Sequence, residues 1–293
     1  MNLFDKNQCM GCGNCIPFCP KHLLKLSENL NERNVHYIEI TDEKACLHCG
    51  QCELMCTAKA IKIDHSSMVS GYNLIDEKAI PPHAGCYLGS LTKALADCLY
   101  KMNISEKTVI FKKKTADVNL KIETHDYPDE SFYEDALVYK QNNPDKVVIL
   151  ICSSSKKPSV ERNRNRYLNL TNENITIINT LNWFECENDF TGKAKGGCHM
   201  LEETAKLKKG AFLARGSIKS IKDMIQLERY LMKALNKQIE NKGYSIVEIV
   251  FPCFYRLAGR PQKLMEKDEI CKINDWFEKF VIEDYPDGIL YER

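Results

Sequence analysis

The sequence predicts a two-part protein: a small cysteine-rich α+β module at the N-terminus, followed by an α/β body whose parallel sheet carries helices on both faces. Three observations predict it. Eight of the chain's 15 cysteines fall in two matching runs between residues 9 and 56. From about residue 78 onward, β-branched apolar runs alternate with segments of helical period, the rhythm of strands joined by covering helices. The 293 residues, 44% of them apolar, exceed the needs of one small module and suffice to bury a second core.

The first run reads Cys9-x2-Cys12-x2-Cys15-x3-Cys19-Pro20, and the second Cys46-x2-Cys49-x2-Cys52-x3-Cys56. Three thiolates at steps of three let a short loop wrap one corner of an iron–sulfur cubane. Small residues such as Gly11, Gly13 and Gly50 let backbone amides approach the sulfurs, where hydrogen bonds stabilise the reduced state. A pair of structural zinc sites is the alternative, although zinc usually takes two ligand pairs separated by a finger. Disulfides suit a secreted mini-protein; "MNLFDKNQCM" lacks the basic and apolar regions of an export signal.

These motifs resemble bacterial two-cluster ferredoxins over residues 1–64, with Thr57 where the counterpart of Pro20 would stand. The resemblance implies two 4Fe–4S clusters, the fourth cysteine of each run crossing to the other cluster. That gives Cys9, Cys12, Cys15 and Cys56 to the first, and Cys46, Cys49, Cys52 and Cys19 to the second. "LLKLS" and "VHYIEI" read as strands around the polar turn "ENLNERN", and "AIKID" as a closing strand. His48, inside the second loop, is either an ordinary exposed histidine or a proton partner to reduction.

Residues 65–78 read as a linker and residues 79–293 as the body. "GSLTKALADCLYKM" repeats apolar residues at helical spacing, "TVIF" is a short strand, and "DESFYEDALVYKQNNPD" is a helix stopped by Asn-Asn-Pro. "KVVILIC", "ITIIN" and "GAFLAR" are buried strands. "SIKDMIQLERYLMKALNKQIENKG" is the longest helix, expected to end at Gly243, and "YSIVEIVFPC" the next strand.

The stretches "AGCYLGSLTKAL", "NNPDKVVILI", "NITIINTLNW" and "GAFLARGSIKSIKDMIQLERYLMKALNKQIENKGYSIVEIVFPC" resemble the β subunit of 2-oxoacid:ferredoxin oxidoreductases over roughly residues 79–260. The resemblance implies a thiamine-diphosphate-binding-like fold and an α-like partner subunit, or a symmetric copy of this chain. In that family Mg²⁺ holds the diphosphate through a Gly-Asp-Gly segment after the central strand and an asparagine after the next. An ungapped overlay puts Ser154 in the acid's place and Asn182 in the asparagine's. Mg²⁺ wants hard oxygen ligands anchored by a carboxylate, so thiamine diphosphate and Mg²⁺ are not expected here, and Ser154 and Asn182 are candidates only as remnants. Lys156 and Lys157 either bind an anion or form a solvated loop.

The family's third cubane also lacks its ligands. Its Cys-Pro-Gly-Cys pair reads His83-Ala84-Gly85-Cys86, and "KKKTADVN" replaces the middle cysteine, leaving Cys86 and Cys253. Tyr87-Leu88 stands before Gly89 where the family has a glycine-and-histidine start. Losses at three places together argue that thiamine chemistry is absent. Cys98, Cys152, Cys186, Cys198 and Cys271 read as small apolar residues, and "GGCHM" is a weak zinc signal.

With 41 Lys+Arg against 40 Asp+Glu, global charge argues for neither nucleic acid nor an anionic membrane; the basic stretch "KKPSVERNRNRY" stands alone. No run approaches the ~18 apolar residues of a membrane span. The expectation is a cytoplasmic iron–sulfur electron-transfer subunit of an oxidoreductase complex related to 2-oxoacid:ferredoxin oxidoreductases, partnered by an α-like subunit or another redox protein. The alternative is an active thiamine-dependent β subunit, with Ser154, Asn182 and backbone carbonyls replacing the carboxylate.

Overall fold

The computed structural model of the chain describes residues 3–56, 58–64, 71–76, 87–114, 116, 118–128, 131–153, 165–170, 173–182, 199–208, 210–251, 275, 277 and 286–293. In the N-terminal module β1 (Leu24–Leu30) and β2 (His36–Ile40) pair antiparallel, from Leu24↔Ile40 to Leu30↔His36. The turn comes later than the sequence suggested. Asn31 sets it: its Oδ1 accepts from the amides of Arg33 and Val35, a side-chain mimic of a backbone turn. The expected closing strand contributes one antiparallel bridge, Phe4↔Ile61.

The body is one seven-stranded sheet. Its strands are β3 (Thr108–Lys113), β4 (Glu123–Tyr127), β5 (Val147–Ser153), β6 (Thr176–Asn182), β7 (Phe212–Ser217), β8 (Ser245–Phe251) and β9 (Gly288–Glu292), in the order β4-β3-β5-β6-β8-β7-β9. All pairings are parallel except β9 on β7. The edge strands β4 and β9 are the ones the sequence did not reveal. Both are partly exposed; β4 (ETHDY) is polar, and the apolar run of β9 (GILYE) is only three residues, shorter than that of a strand buried on both faces.

Helix α1 (Gln51–Leu54) belongs to the module; α2 (Tyr87–Lys101), α3 (Phe132–Asn142), α4 (Met200–Lys206) and α5 (Ile221–Ile239) cover the sheet. Side-chain alternation along strands separates the two layers. Gln238 of α5 donates to the Thr176 hydroxyl at 2.9 Å, and Tyr87 of α2 stacks on Phe251; these positions share one face. Tyr139 of α3 meets Phe111 edge-on, and Glu202 of α4 reaches Arg215, both on the opposite face. α5 begins at Ser220, whose hydroxyl accepts from the Asp223 amide. It ends at Ile239, four residues before the expected glycine, because Asn241 takes the left-handed conformation at φ 57. Asn241 and Lys242 then donate back to Gln238 and Lys237, the bonding of a Schellman end.

α2 joins the two parts. Twelve of its 15 residues are buried, because sheet, α5 and module surround it. Met10, Phe18 and Met55 of the module enter the body's core. Phe18 meets Tyr87 edge-on with centroids 6.3 Å apart, and the Ser90 hydroxyl lies 3.2 Å from the Met55 sulfur. Within the stretch read as a linker, residues 71–76 are pinned. The Gly71 amide donates to Asp97 at 3.0 Å, Ile75 bridges to Leu120, and a Cβ on Gly71 would stand 2.2 Å from the Ala96 carbonyl oxygen.

Candidate metal centre: two four-thiol cavities

The two cysteine runs place left-handed residues at matching positions. Gly11 (φ 67) and Gly13 (φ 71) in the first correspond by position to His48 (φ 53) and Gly50 (φ 72) in the second. His22 (φ 54) and Lys59 (φ 53) sit three residues after Cys19 and Cys56. These left-handed residues curl the chain so that amides turn back onto sulfur. The Gly11 and His48 amides each lie 3.4 Å from the sulfur two residues earlier, Cys9 and Cys46. The Leu23 and Ala60 amides donate to Cys19 at 3.3 Å and Cys56 at 3.1 Å. Ile38 of β2 adds a further amide to Cys9 at 3.4 Å. His48 is therefore the residue at the position of a left-handed glycine. A Cβ at Gly11 would meet the His36 carbonyl at 2.5 Å.

The structure brings the eight cysteines into two groups. Cys9, Cys12, Cys15 and Cys56 line one cavity, walled by Met10, Ile38, Met55 and Ile61, with Asp5 at its lining. Cys19, Cys46, Cys49 and Cys52 line a second, walled by Phe18, Leu24, Ile40 and Ile63, with Lys21 at its lining. Burial, then the charges of Cys56 and Cys12, pushes the Cys15 thiol up. Burial, then Cys49, Cys19 and Cys46, does the same to Cys52. Four thiolates around an apolar space oppose one another unless cations lie between them. Thiolate donors, amide hydrogen bonds to sulfur and walls that exclude water fit a cysteine-ligated cubane.

The candidate remnant site lies elsewhere. Asn182 ends β6, in register with Phe251 at the end of β8, where ligands of parallel sheets commonly bind. Ser154, Lys156, Lys157, His83, Cys86, Cys253, Cys186, Cys198 and Cys271 lie outside the described residues, as does Thr57. Cys98 and Cys152 are buried.

Among the described residues, the buried charge groups that the sequence reading missed include two. Asn179, Glu248 and Arg215 stand in register across β6, β8 and β7. Arg215 donates to Glu248 at 2.5 Å and, through both terminal nitrogens, to Glu202 at 2.6 and 2.8 Å. Burial pushes the Glu248 carboxyl up against the pull of Arg215. Burial opposes ionisation of Glu202 too, but the Arg215 bonds outweigh it and hold that carboxyl below the usual range. This group sits mid-strand with its donors matched, an internal clamp. The second is Lys93 paired with Asp97 in α2, both buried. The signal for it was present: an i,i+4 opposite-charge pair inside an otherwise apolar helix.

Comparison with known proteins agrees with both halves. The family of 4Fe–4S dicluster domains (Fer4_7) matches residues 8–60. The ketoisovalerate oxidoreductase subunit VorC of Methanothermobacter marburgensis is 37% identical over 41 residues, 14% of this chain and 52% of its own length. The chain thus spans about half the length of that curated relative. Among solved structures, a 2-oxoglutarate:ferredoxin oxidoreductase from Magnetococcus marinus, with 2-oxoglutarate, coenzyme A and succinyl-CoA bound, superposes with a TM-score of 0.55. The match is 13% identical and covers 78% of this chain and 86% of that one; it shows a shared fold. No described helix is long and apolar enough to cross a membrane.

Proposed function

We propose that this chain is an electron-transfer subunit of an oxidoreductase complex related to the 2-oxoacid:ferredoxin oxidoreductases. Cys9, Cys12, Cys15 and Cys56 hold one 4Fe–4S cluster, and Cys46, Cys49, Cys52 and Cys19 the other. The observation that carries this reading is the sorting of eight thiols into two amide-lined, apolar cavities. Bound cubanes supply one-electron exchange at low potential. The chain's residues orient the sulfurs, donate amides to them and keep water away. A partner chain is supported by VorC, itself named as a subunit, and by the shared fold of a 2-oxoacid oxidoreductase.

The body does not use thiamine diphosphate in this reading, because no carboxylate follows β5 in the stretch Ser153–Lys157 and a Mg²⁺-held diphosphate needs one. Anaerobically purified protein is expected to contain about eight irons per chain and to give no calorimetric heat with thiamine diphosphate and Mg²⁺. Iron near zero, with zinc in its place, overturns the cluster assignment. Tight binding of the coenzyme, or coenzyme A-dependent dye reduction by a 2-oxoacid, establishes the second reading, an active thiamine-dependent subunit. That reading draws on the shared fold and on Asn182 beside the end of β8. Anaerobic pull-down identifies the partner; a flavoprotein or radical enzyme in place of an α-like chain redirects the assignment.

A further inference from the structure

An open groove on the module runs between residues 3–8, β2 and residues 59–62. Phe4, Asp5, Ile38 and Ala60 line both this groove and the first cavity, and Phe4 and Ile40 line both it and the second. One layer of side chains therefore separates the groove from either set of four thiols. The protein does not balance the groove's charges. Asp5 is occupied, its carboxylate accepting from the amides of Asn7 at 3.0 Å and Gln8 at 3.2 Å. Glu39 is paired with Lys25 at 3.0 Å. Lys6, Lys59 and Lys62 line the groove and are exposed; among the described residues no carboxylate pairs with any of them, and Glu43 is the one uncommitted acid of the lining. Phe4 bridges Ile61 antiparallel, and the Asp5 amide donates to the Ala60 carbonyl at 2.8 Å. Counting along these two segments brings Lys6 and Lys59 to facing positions. Like charges so placed repel, and an anion set against them relieves the repulsion.

We infer that this groove is the module's electron port, and that its occupant is a small electron-carrier protein with an acidic contact face. The inference rests on the two-cluster reading above. Phe4, Tyr37 and Ile40 give the groove an apolar floor and the three lysines a charged rim, the layout of a protein contact. Its openness suits a protein better than a small molecule, whose sites enclose most of the ligand. Transient redox pairs bury little area and are steered together by opposite charge. Electron transfer falls steeply with distance, so a carrier seated over the thin wall is well placed to exchange with the clusters. One electron leaves a reduced cluster, which is oxidised, and enters the carrier's redox centre, which is reduced.

The test is anaerobic stopped-flow mixing of the full chain, reduced with dithionite and freed of the excess, with two carriers of opposite charge. These are oxidised flavodoxin, which is acidic, and ferric cytochrome c, which is basic. Iron well below about eight per chain, or no bleaching by dithionite, counts against the two-cluster reading itself; full iron with unmoved rates counts against the groove. The parent chain is expected to reduce flavodoxin fast at low salt and more slowly as salt screens the contact. Lys6→Glu/Lys62→Glu leaves the left-handed Lys59 in place. In that variant flavodoxin reduction is expected to fall about tenfold at low salt while cytochrome c reduction rises. Lys222→Glu/Lys242→Glu makes the same change in net charge at residues that do not line the groove, and is expected to keep both rates near those of the parent. Cluster damage slows both carriers, so opposite shifts mark the port. Flavodoxin reduction that is unchanged by the groove substitutions, slowed equally by the control pair, or faster at high salt in the parent overturns the inference. If the charge-reversed variant does not accumulate with full iron, Lys6→Gln/Lys62→Gln decides. A slower flavodoxin reaction with a weaker salt dependence upholds the proposal, and parent-like behaviour overturns it.

Discussion

Among the described residues, the module's own core is eight side chains, two of them cysteines, set around two cavities. In the body, every residue of β7 and β8 is buried, and one apolar cluster runs through sheet and helices. A module of about 60 residues buries too little apolar surface to be securely stable alone, so metal–sulfur bonds take the place of a core. The body's core is built from apolar side chains of sheet and helices. The difference teaches that a cofactor can be part of the structure in one half of a chain while the other half keeps its architecture whether or not a cofactor site survives. It also explains why Met10, Phe18 and Met55 lean on α2: the weaker half borrows the stronger half's core.

The largest effect that breaks this comparison comes from removing the metal. Chelation under anaerobic conditions is expected to abolish amide-exchange protection in β1 and β2 while β5, β6 and β8 keep theirs. Loss of protection in both halves together would show that the body's core also depends on the clusters. Next in size is Arg215→Met, which leaves Glu248 buried without its cation. Stability of the body is expected to fall by about 3–5 kcal/mol in urea unfolding followed by circular dichroism, with iron content unchanged.

Smaller again is Gly11→Ala. The left-handed backbone alone costs about 1–2 kcal/mol, and the His36 carbonyl at 2.5 Å adds a clash, so the module should release iron faster than the parent protein. His48→Gly, at the matching position of the second loop, should retain iron at least as well; equal loss from the two substitutions would deny that the loops are equivalent. The smallest effect concerns Glu202. Its carboxyl is held low in the folded chain, so its contribution is present above the ordinary carboxylate range and lost as pH falls through the folded value. Glu202→Gln should flatten that acidic part of the stability profile, and an unchanged slope would assign the acid sensitivity to other groups.

Much of this was legible from sequence because its causes are local. Cysteine spacing is a property of consecutive residues, and the runs at Val147–Ile151 and Ser245–Phe251 announce strands buried on both faces. β4 and β9 were not legible, since an edge strand exists only when a neighbour offers hydrogen bonds. Gly243 was a reasonable stop for α5, yet Asn241 tolerates the left-handed state and took the role first. His48 read as a histidine and proved to stand at a glycine's place, visible only when both loops are superposed by position. Lys93 carried a signal, its pairing with Asp97, but nothing along the chain says that this helix of the body packs against the module.

By itself the sequence determined the kind of centre and the class of fold, because ligand chemistry and the period of apolar residues are written along one dimension. The tertiary structure decided which strands close the sheet's edges and which buried charges pair with one another. Those are matters of distance between residues far apart in the chain, and Coulomb forces and packing act through that distance alone.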